Sequence, residues 1–298
     1  MNLVKFPGLN INLKVPQIAF SVFGIEVYMY AICIVIGIIV AAILCNISKE
    51  KFENKFENIL DIGIFSLFFG IIGARIYFII FNLEYYLNNI KEVFNFRDGG
   101  LAIYGGLITG ILTAIIICKI KKIDIWNVLD YVIPFVALAQ AIGRWGNFFN
   151  VEAYGYETDI FLRMGIFTSD GYIEVHPTFL YESVWCAALL VILVLYRKHK
   201  KYEGELFLLY VFGYGLGRVW IEGLRTDQLL LPGIGFPVSQ LLAGVIVVAA
   251  GAALLYLRKH HRRMPLLKSG KVYEPMPDKI EGSKPPKKKD RIFKFKDK

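Results

Sequence analysis

Residues 141–155 read AIGRWGNFFNVEAYG, and three of them can do chemistry together. Arg144 offers a planar fork of donors that fits a phosphate or a carboxylate. Asn147 follows three residues on, so on a helix the two share one face. Glu152 lies within reach and can orient the fork or take a proton. The stretch closes an apolar run, and a charged side chain at membrane depth costs roughly 2.5–3.5 kcal/mol on insertion scales. An arginine kept there beside an asparagine points to use; the plainer alternative is a snorkelling arginine and a helix-end asparagine.

A second set lies further along. Tyr214, Arg218, Glu222 and Arg225 are spaced four, four and three, one stripe on a helix. Arg75, Tyr104, His176 and Glu182 are further polar residues in or beside apolar runs. No G-x-x-x-x-G-K-[ST] loop occurs, no G-x-S-x-G elbow, and no His or Cys spacing that ligates a metal. Several arginines with few nucleophiles suit the binding of an anionic headgroup, with the attacking group brought by a second substrate. If phosphate is the leaving group, two arginines stabilise the charge it develops.

The elements that must position these residues are membrane helices. The chain is 56% hydrophobic with mean hydropathy +0.50, laid out in seven apolar runs of spanning length. They lie near 22–45, 59–82, 100–120, 127–148, 177–197, 204–222 and 237–258. The fourth is interrupted by Asp130, Pro134 and Gln140. Cys33, Cys45, Cys118 and Cys186 all sit in these runs and read as buried thiols, neither disulfides nor metal ligands.

Loop charge gives an orientation. Lys49, Lys51 and Lys55, then Lys119, Lys121 and Lys122, then Arg197, Lys198, Lys200 and Lys201 alternate with poorer segments. Basic loops collect on the cytoplasmic side, which puts the N-terminus outside and the C-terminus inside. By this topology Arg75, Tyr104, Arg144, Asn147, His176, Glu182 and the 214–225 stripe all converge on the outer leaflet. Unrelated intramembrane charges would scatter in depth. The net charge of +9 belongs to the tail, since residues 258–298 hold 15 Lys+Arg against 5 Asp+Glu and the rest sums to −1.

The expected division is an external segment 1–21, a seven-helix membrane domain 22–258 with an external loop at about 149–176, and a basic, disordered cytoplasmic tail 259–298. The tail suits anionic lipid better than nucleic acid. Glycines at 70, 73, 99, 100, 105, 106, 110, 213 and 217 mark helices that approach closely.

Four motifs carry a resemblance: GRWGNFFNVEAYG (143–155), GGLAIYGGLITG (99–110), HPTFLYES (176–183) and GYGLGRVWIEGLRTDQ (213–228). In this order they resemble the prolipoprotein diacylglyceryl transferases over roughly residues 20–258. The resemblance implies an all-α integral membrane enzyme of the bacterial cell membrane, its site facing the outer leaflet, with no metal or cofactor. It would transfer the diacylglyceryl group of phosphatidylglycerol to the lipobox cysteine of a prolipoprotein signal peptide, forming a thioether and releasing glycerol phosphate. Arg144, Asn147 and Glu152 match the family's signature residues, Arg218 and Glu222 its Arg–Glu pair, and Tyr214 the tyrosine before that pair. Tyr28, in EVYMY, resembles a family tyrosine on the first helix. Arg144, Arg218, Glu152, Tyr104 and Glu222 are therefore the expected catalytic set, and Arg144, Asn147, Arg218, Tyr28, Arg75 and Tyr214 the expected phosphatidylglycerol-binding set. One departure stands out: many members carry His where this chain has Tyr104, and a phenol with pKa near 10 is a poor base. A non-enzymatic lipid transporter or scramblase is the alternative, and it would need polar residues spread through the membrane thickness or paired discontinuous repeats.

Overall fold

The computed structural model describes residues 2–48, 56–95, 99–169, 171–231, 233 and 235–260. In hydrocarbon the backbone must satisfy its own hydrogen bonds, so each long apolar run closes into a helix. The long helices are α1 (Met29–Ile47), α2 (Phe56–Phe81), α4 (Ile103–Lys121), α5 (Ile125–Asn150), α6 (Thr178–Tyr196), α7 (Glu205–Glu222) and α8 (Val238–His260), with a short α3 (Leu83–Asn88) after α2. Six of them are long and apolar enough to cross a membrane. The exception is α7, whose 18 residues include Glu205, Arg218 and Glu222. The molecule is a mostly helical, multi-pass membrane protein. The expected tail falls almost wholly on residues 261–298, outside the described residues; α8 itself runs through Lys259 and His260.

The first apolar run begins later than its composition suggests. Strands β1 (Asn2–Phe6) and β2 (Ile11–Val15) form one hairpin, and β3 (Ile18–Val22) and β4 (Ile25–Tyr28) a second. Helix α1 starts only at Met29, so residues 22–28 are strand and turn and not the start of a span as expected. Hydropathy alone cannot tell a short apolar strand from helix. The turn does: Phe23 and Gly24 both have positive φ, 51° and 77°, the geometry of a tight two-residue hairpin.

Residues 2–15 join a larger sheet. β1 pairs with β5 (Met164–Thr168), which pairs with β6 (Gly171–Val175), giving one four-stranded antiparallel sheet of order β2-β1-β5-β6. Its inner face buries Val4, Val15, Met164, Ile166 and Val175 against Phe148 of α5 and Phe179 of α6. Each such side chain contributes about 1.5–3 kcal/mol on burial. The sheet therefore caps the end of the bundle where α5 stops and α6 starts.

Helix α5 is the axis of the bundle, packed on α1 and α6 and touching α7. It runs unbroken past Pro134 for 26 residues. The Asp124 side chain caps its start by accepting from the Trp126 N–H at 3.1 Å. Asp130, which interrupts the apolar pattern, is fully buried and accepts from the Gly204 and Phe207 N–H groups, both at 2.9 Å, with Lys200 Nζ at 3.0 Å. It thereby fixes the start of α7, whose far end carries Arg218. α2 and α4 pack as a pair: a Cβ on Gly105 would lie 2.6 Å from the Gly73 carbonyl oxygen and 2.3 Å from Tyr77 Cβ, so only glycine allows this approach. The pair joins α1 and α5 through Cys45, Ile59, Ile62, Cys118, Val128 and Tyr131, at the end away from the sheet.

Candidate functional site

The sheet-capped end gathers charge around one carboxylate. Glu182, in the second turn of α6, is 4% exposed. Its Oε2 lies 2.7 Å from Arg144 Nη2, and its Oε1 lies 3.2 Å from Arg218 Nη1 and 3.7 Å from Arg225 Nη1. Arg218 also pairs with Glu222, one turn on. Arg225 forms a bidentate pair with Asp227, at 2.9 and 2.7 Å. That hydrogen bonding holds the Asp227 carboxyl below the usual carboxylate range. Arg144 also donates to the Tyr214 hydroxyl at 3.2 Å, and Tyr214 stacks on Tyr210. Arginines from α5 and α7 thus meet on an acid from α6. A narrow gap beside them is lined by Glu182, Trp185, Cys186, Tyr214, Gly217 and Arg218.

The end of α5 is shaped to return Glu152 to Asn147. Val151 and Ala153 both hold positive φ, 53° and 56°. For a β-branched residue this conformation costs on the order of 1–3 kcal/mol, so the surrounding contacts must impose it. The result is a bond from Asn147 Nδ2 to Glu152 Oε1 at 2.9 Å. Beyond it, Gly155 bridges to Arg225, Tyr156 donates to the Leu224 carbonyl at 2.8 Å, and Thr226 donates to that of Tyr154 at 3.3 Å. A Cβ on Gly155 would sit 2.8 Å from the Leu224 oxygen. The loops after α5 and α7 are therefore tied together, which sets Arg225 against Glu182.

The structure brings together Arg144, Arg218, Glu222 and Tyr214 of the expected residues, with Asn147 and Glu152 as a bonded pair beside them. The hydrogen bonds described for Tyr28 and Arg75 run to other residues. Tyr28 precedes α1, with its hydroxyl on Glu26 at 3.2 Å. Tyr104 is 48% exposed at the start of α4. Arg75 is 4% exposed and engaged by backbone: Nε donates to Val93 O at 3.1 Å, Nη1 to Gly99 O and Gly100 O at 2.9 and 3.1 Å, and Nη2 to Glu92 O at 2.5 Å.

Two residues of the cluster, Glu182 and Arg225, lay outside the expected site set, as did Asp227. A buried acid inside an apolar run was the available signal for Glu182. Its partners stand on other helices, and one sequence shows no such pairing.

This constellation can be set beside known proteins. The family model described as prolipoprotein diacylglyceryl transferase matches residues 17–257. The chain belongs to this family. A relative from Clostridioides difficile (strain 630), named phosphatidylglycerol--prolipoprotein diacylglyceryl transferase, is 44% identical over 246 residues, covering 83% of this chain and 97% of the relative. Proteins of the same name from Finegoldia magna (43% over 235 residues; 78% and 92% covered) and Listeria monocytogenes serotype 4a (41% over 249 residues; 81% and 89% covered) are similarly close. The span matched to the diacylglyceryl transferase family contains every residue of the Glu182 cluster and leaves β1 and β2 outside it.

Proposed function

We propose that the protein transfers the diacylglyceryl group of phosphatidylglycerol to the lipobox cysteine of a prolipoprotein signal peptide. The thiol sulfur forms a C–S bond to the glyceryl carbon as the C–O bond to phosphate breaks. Glycerol phosphate leaves with the electron pair, and the thiol proton passes to solvent or to the departing phosphate. The observation that carries this reading is the convergence of three guanidiniums on Glu182 at one end of the bundle. Arg144 and Arg218 bind the headgroup phosphate and stabilise charge on the leaving group. Tyr214 and Glu222 orient those arginines, and the Asn147–Glu152 pair borders the phosphate. Tyr28 and Tyr104 line the path of the lipid. Arg75 holds the carbonyls of Glu92 and Val93 after α3 and of Gly99 and Gly100 before α4.

The decisive experiment mixes purified protein, phosphatidylglycerol and a lipobox peptide. The expected result is a peptide mass gain of one diacylglyceryl unit with stoichiometric glycerol phosphate. Neither product appearing with well-folded protein removes the reading.

The site faces the outer leaflet of the bacterial plasma membrane in this proposal, with seven spans if α7 also crosses. Loop charge supports that orientation. In a variant lacking all four native cysteines, Asp159→Cys is labelled by an impermeant maleimide added outside and Lys198→Cys is not. Both positions are exposed in the fold. The reverse labelling pattern overturns the orientation.

A further inference from the structure

Three guanidiniums, those of Arg144, Arg218 and Arg225, are matched by three carboxylates, those of Glu182, Glu222 and Asp227. The cluster is therefore close to neutral. Its members differ in exposure. The arginine side chains keep 22, 18 and 14% exposure and that of Asp227 50%, while those of Glu182 and Glu222 are the most buried, at 5 and 6%. Glu182 is the acid shared by all three arginines, and it is the carboxylate that pairs with Arg144, because Glu152 is turned to Asn147.

The proposed reaction changes the charge of its phosphate. A phosphodiester carries one negative charge. The phosphomonoester product carries about 1.5 to 2 near neutral pH. Three uncompensated arginines would hold such a product more tightly than the substrate and stall the site after one turnover. A buried carboxylate on the forks competes with the phosphate for the same donors and weakens the hold on the more highly charged species.

We propose that Glu182 is the internal counter-ion of the arginine cluster, holding it near zero net charge so that the phosphate product leaves after transfer. This rests on the reading of the cluster as the phosphate site. Glu182 is a positioning residue here, acting through the arginines and not on the reacting atoms.

The test is a titration of the purified full-length protein, in nonionic detergent and without peptide or lipid, with glycerol phosphate as the probe. Glu182→Gln keeps the shape of the side chain and removes its charge. It is expected to bind glycerol phosphate at least about tenfold more tightly than the wild type, with a lowered kcat and an unraised KM for phosphatidylglycerol. Glu182→Asp keeps the charge and is expected to bind the probe as the wild type does. A purely structural role predicts the opposite for Glu182→Gln, because misaligned arginines bind phosphate less well. Equal or weaker binding by a well-folded Glu182→Gln overturns the proposal. If that variant fails to insert, Glu182→Ser removes the same charge with a smaller side chain and is read by the same criterion. Tighter binding in the variants with no transferase activity in the wild type would sink the functional reading and leave the counter-ion assignment standing. Intact transfer with unchanged binding across the variants would do the reverse.

Discussion

Arg144→Lys and Arg218→Lys each lower the initial rate of diacylglyceryl transfer about ten- to hundredfold. Lysine keeps the charge but concentrates it on one ammonium, whereas each arginine here serves two partners at once. Arg218 spans Glu182 and Glu222; Arg144 spans Glu182 and the Tyr214 hydroxyl. An ammonium cannot hold both partners and also present donors to a phosphate. Losing one charge-assisted hydrogen bond of about 1.5–3 kcal/mol in the transition state gives a factor of roughly ten to a hundred. Tyr104→Phe removes one hydroxyl from an exposed ring outside the cluster and costs less than either change. Tyr104→His is tolerated, since the resemblance puts His there. Initial rates on phosphatidylglycerol micelles with a lipobox peptide check all four. If both lysine variants stay near wild type while Tyr104→Phe is dead, the clamp is misassigned and the mechanism belongs to Tyr104.

The helices were legible because long apolar runs have few alternatives in hydrocarbon, and the loop lysines separate them. Asn147 and Glu152 meet at one helix end, but the expected contact of Glu152 with the Arg144 fork is replaced by its bond to Asn147, and Arg144 pairs with Glu182. What was not legible depended on distance along the chain. Glu182 gains its importance from partners on α5, on α7 and in the loop after α7, and nothing in its own neighbourhood names them. Strands β1 and β2 are five residues each, with mixed exposure, and the strand that pairs with β1 on its other side is β5. Arg75 looked like a headgroup ligand for the same reason as Arg144, an arginine deep in an apolar run. Four of its hydrogen bonds go to backbone carbonyls, which carry no signature in sequence.

Arg75→Gln lowers the apparent Tm of the purified protein by roughly 6–12 °C and leaves glycerol phosphate binding unchanged. The arginine donates to the carbonyls of Glu92, Val93, Gly99 and Gly100, and its guanidinium lies 5.2 Å from the Tyr86 ring centroid. Glutamine reaches at most one of the carbonyls. Leaving several carbonyls without a donor costs on the order of 3 kcal/mol in total, and 2–4 °C per kcal/mol is usual for a protein of this size. Gly100, at φ 75° and with a notional Cβ 2.3 Å from Arg75 Nη1, shows how closely its backbone approaches the side chain. Thermal unfolding and the phosphate titration, run on one preparation, separate the two roles. An unchanged Tm with lost phosphate binding would make Arg75 a headgroup ligand after all.

The pairing of Lys5 with Gly165 has a bearing on how the protein is made. β1 is synthesised about 160 residues before β5, and four long helices, α1, α2, α4 and α5, are laid down between them. At about 5–20 residues per second the first hairpin waits on the order of ten seconds for its partner. A lone two-stranded hairpin is marginal in water, and its open edges accept any extended segment that comes near. The ribosome has passed Val175 before the strands that bury Val4 and Val15 all exist, and it has passed Leu224 before the loop holding Glu152 can be tied to its counterpart. Until then the nascent chain has its first helices but an unclosed head. Membrane insertion and acquisition of activity are consequently separate events in time, and a ribosome stall between α5 and β6 would yield an inserted product that is inert.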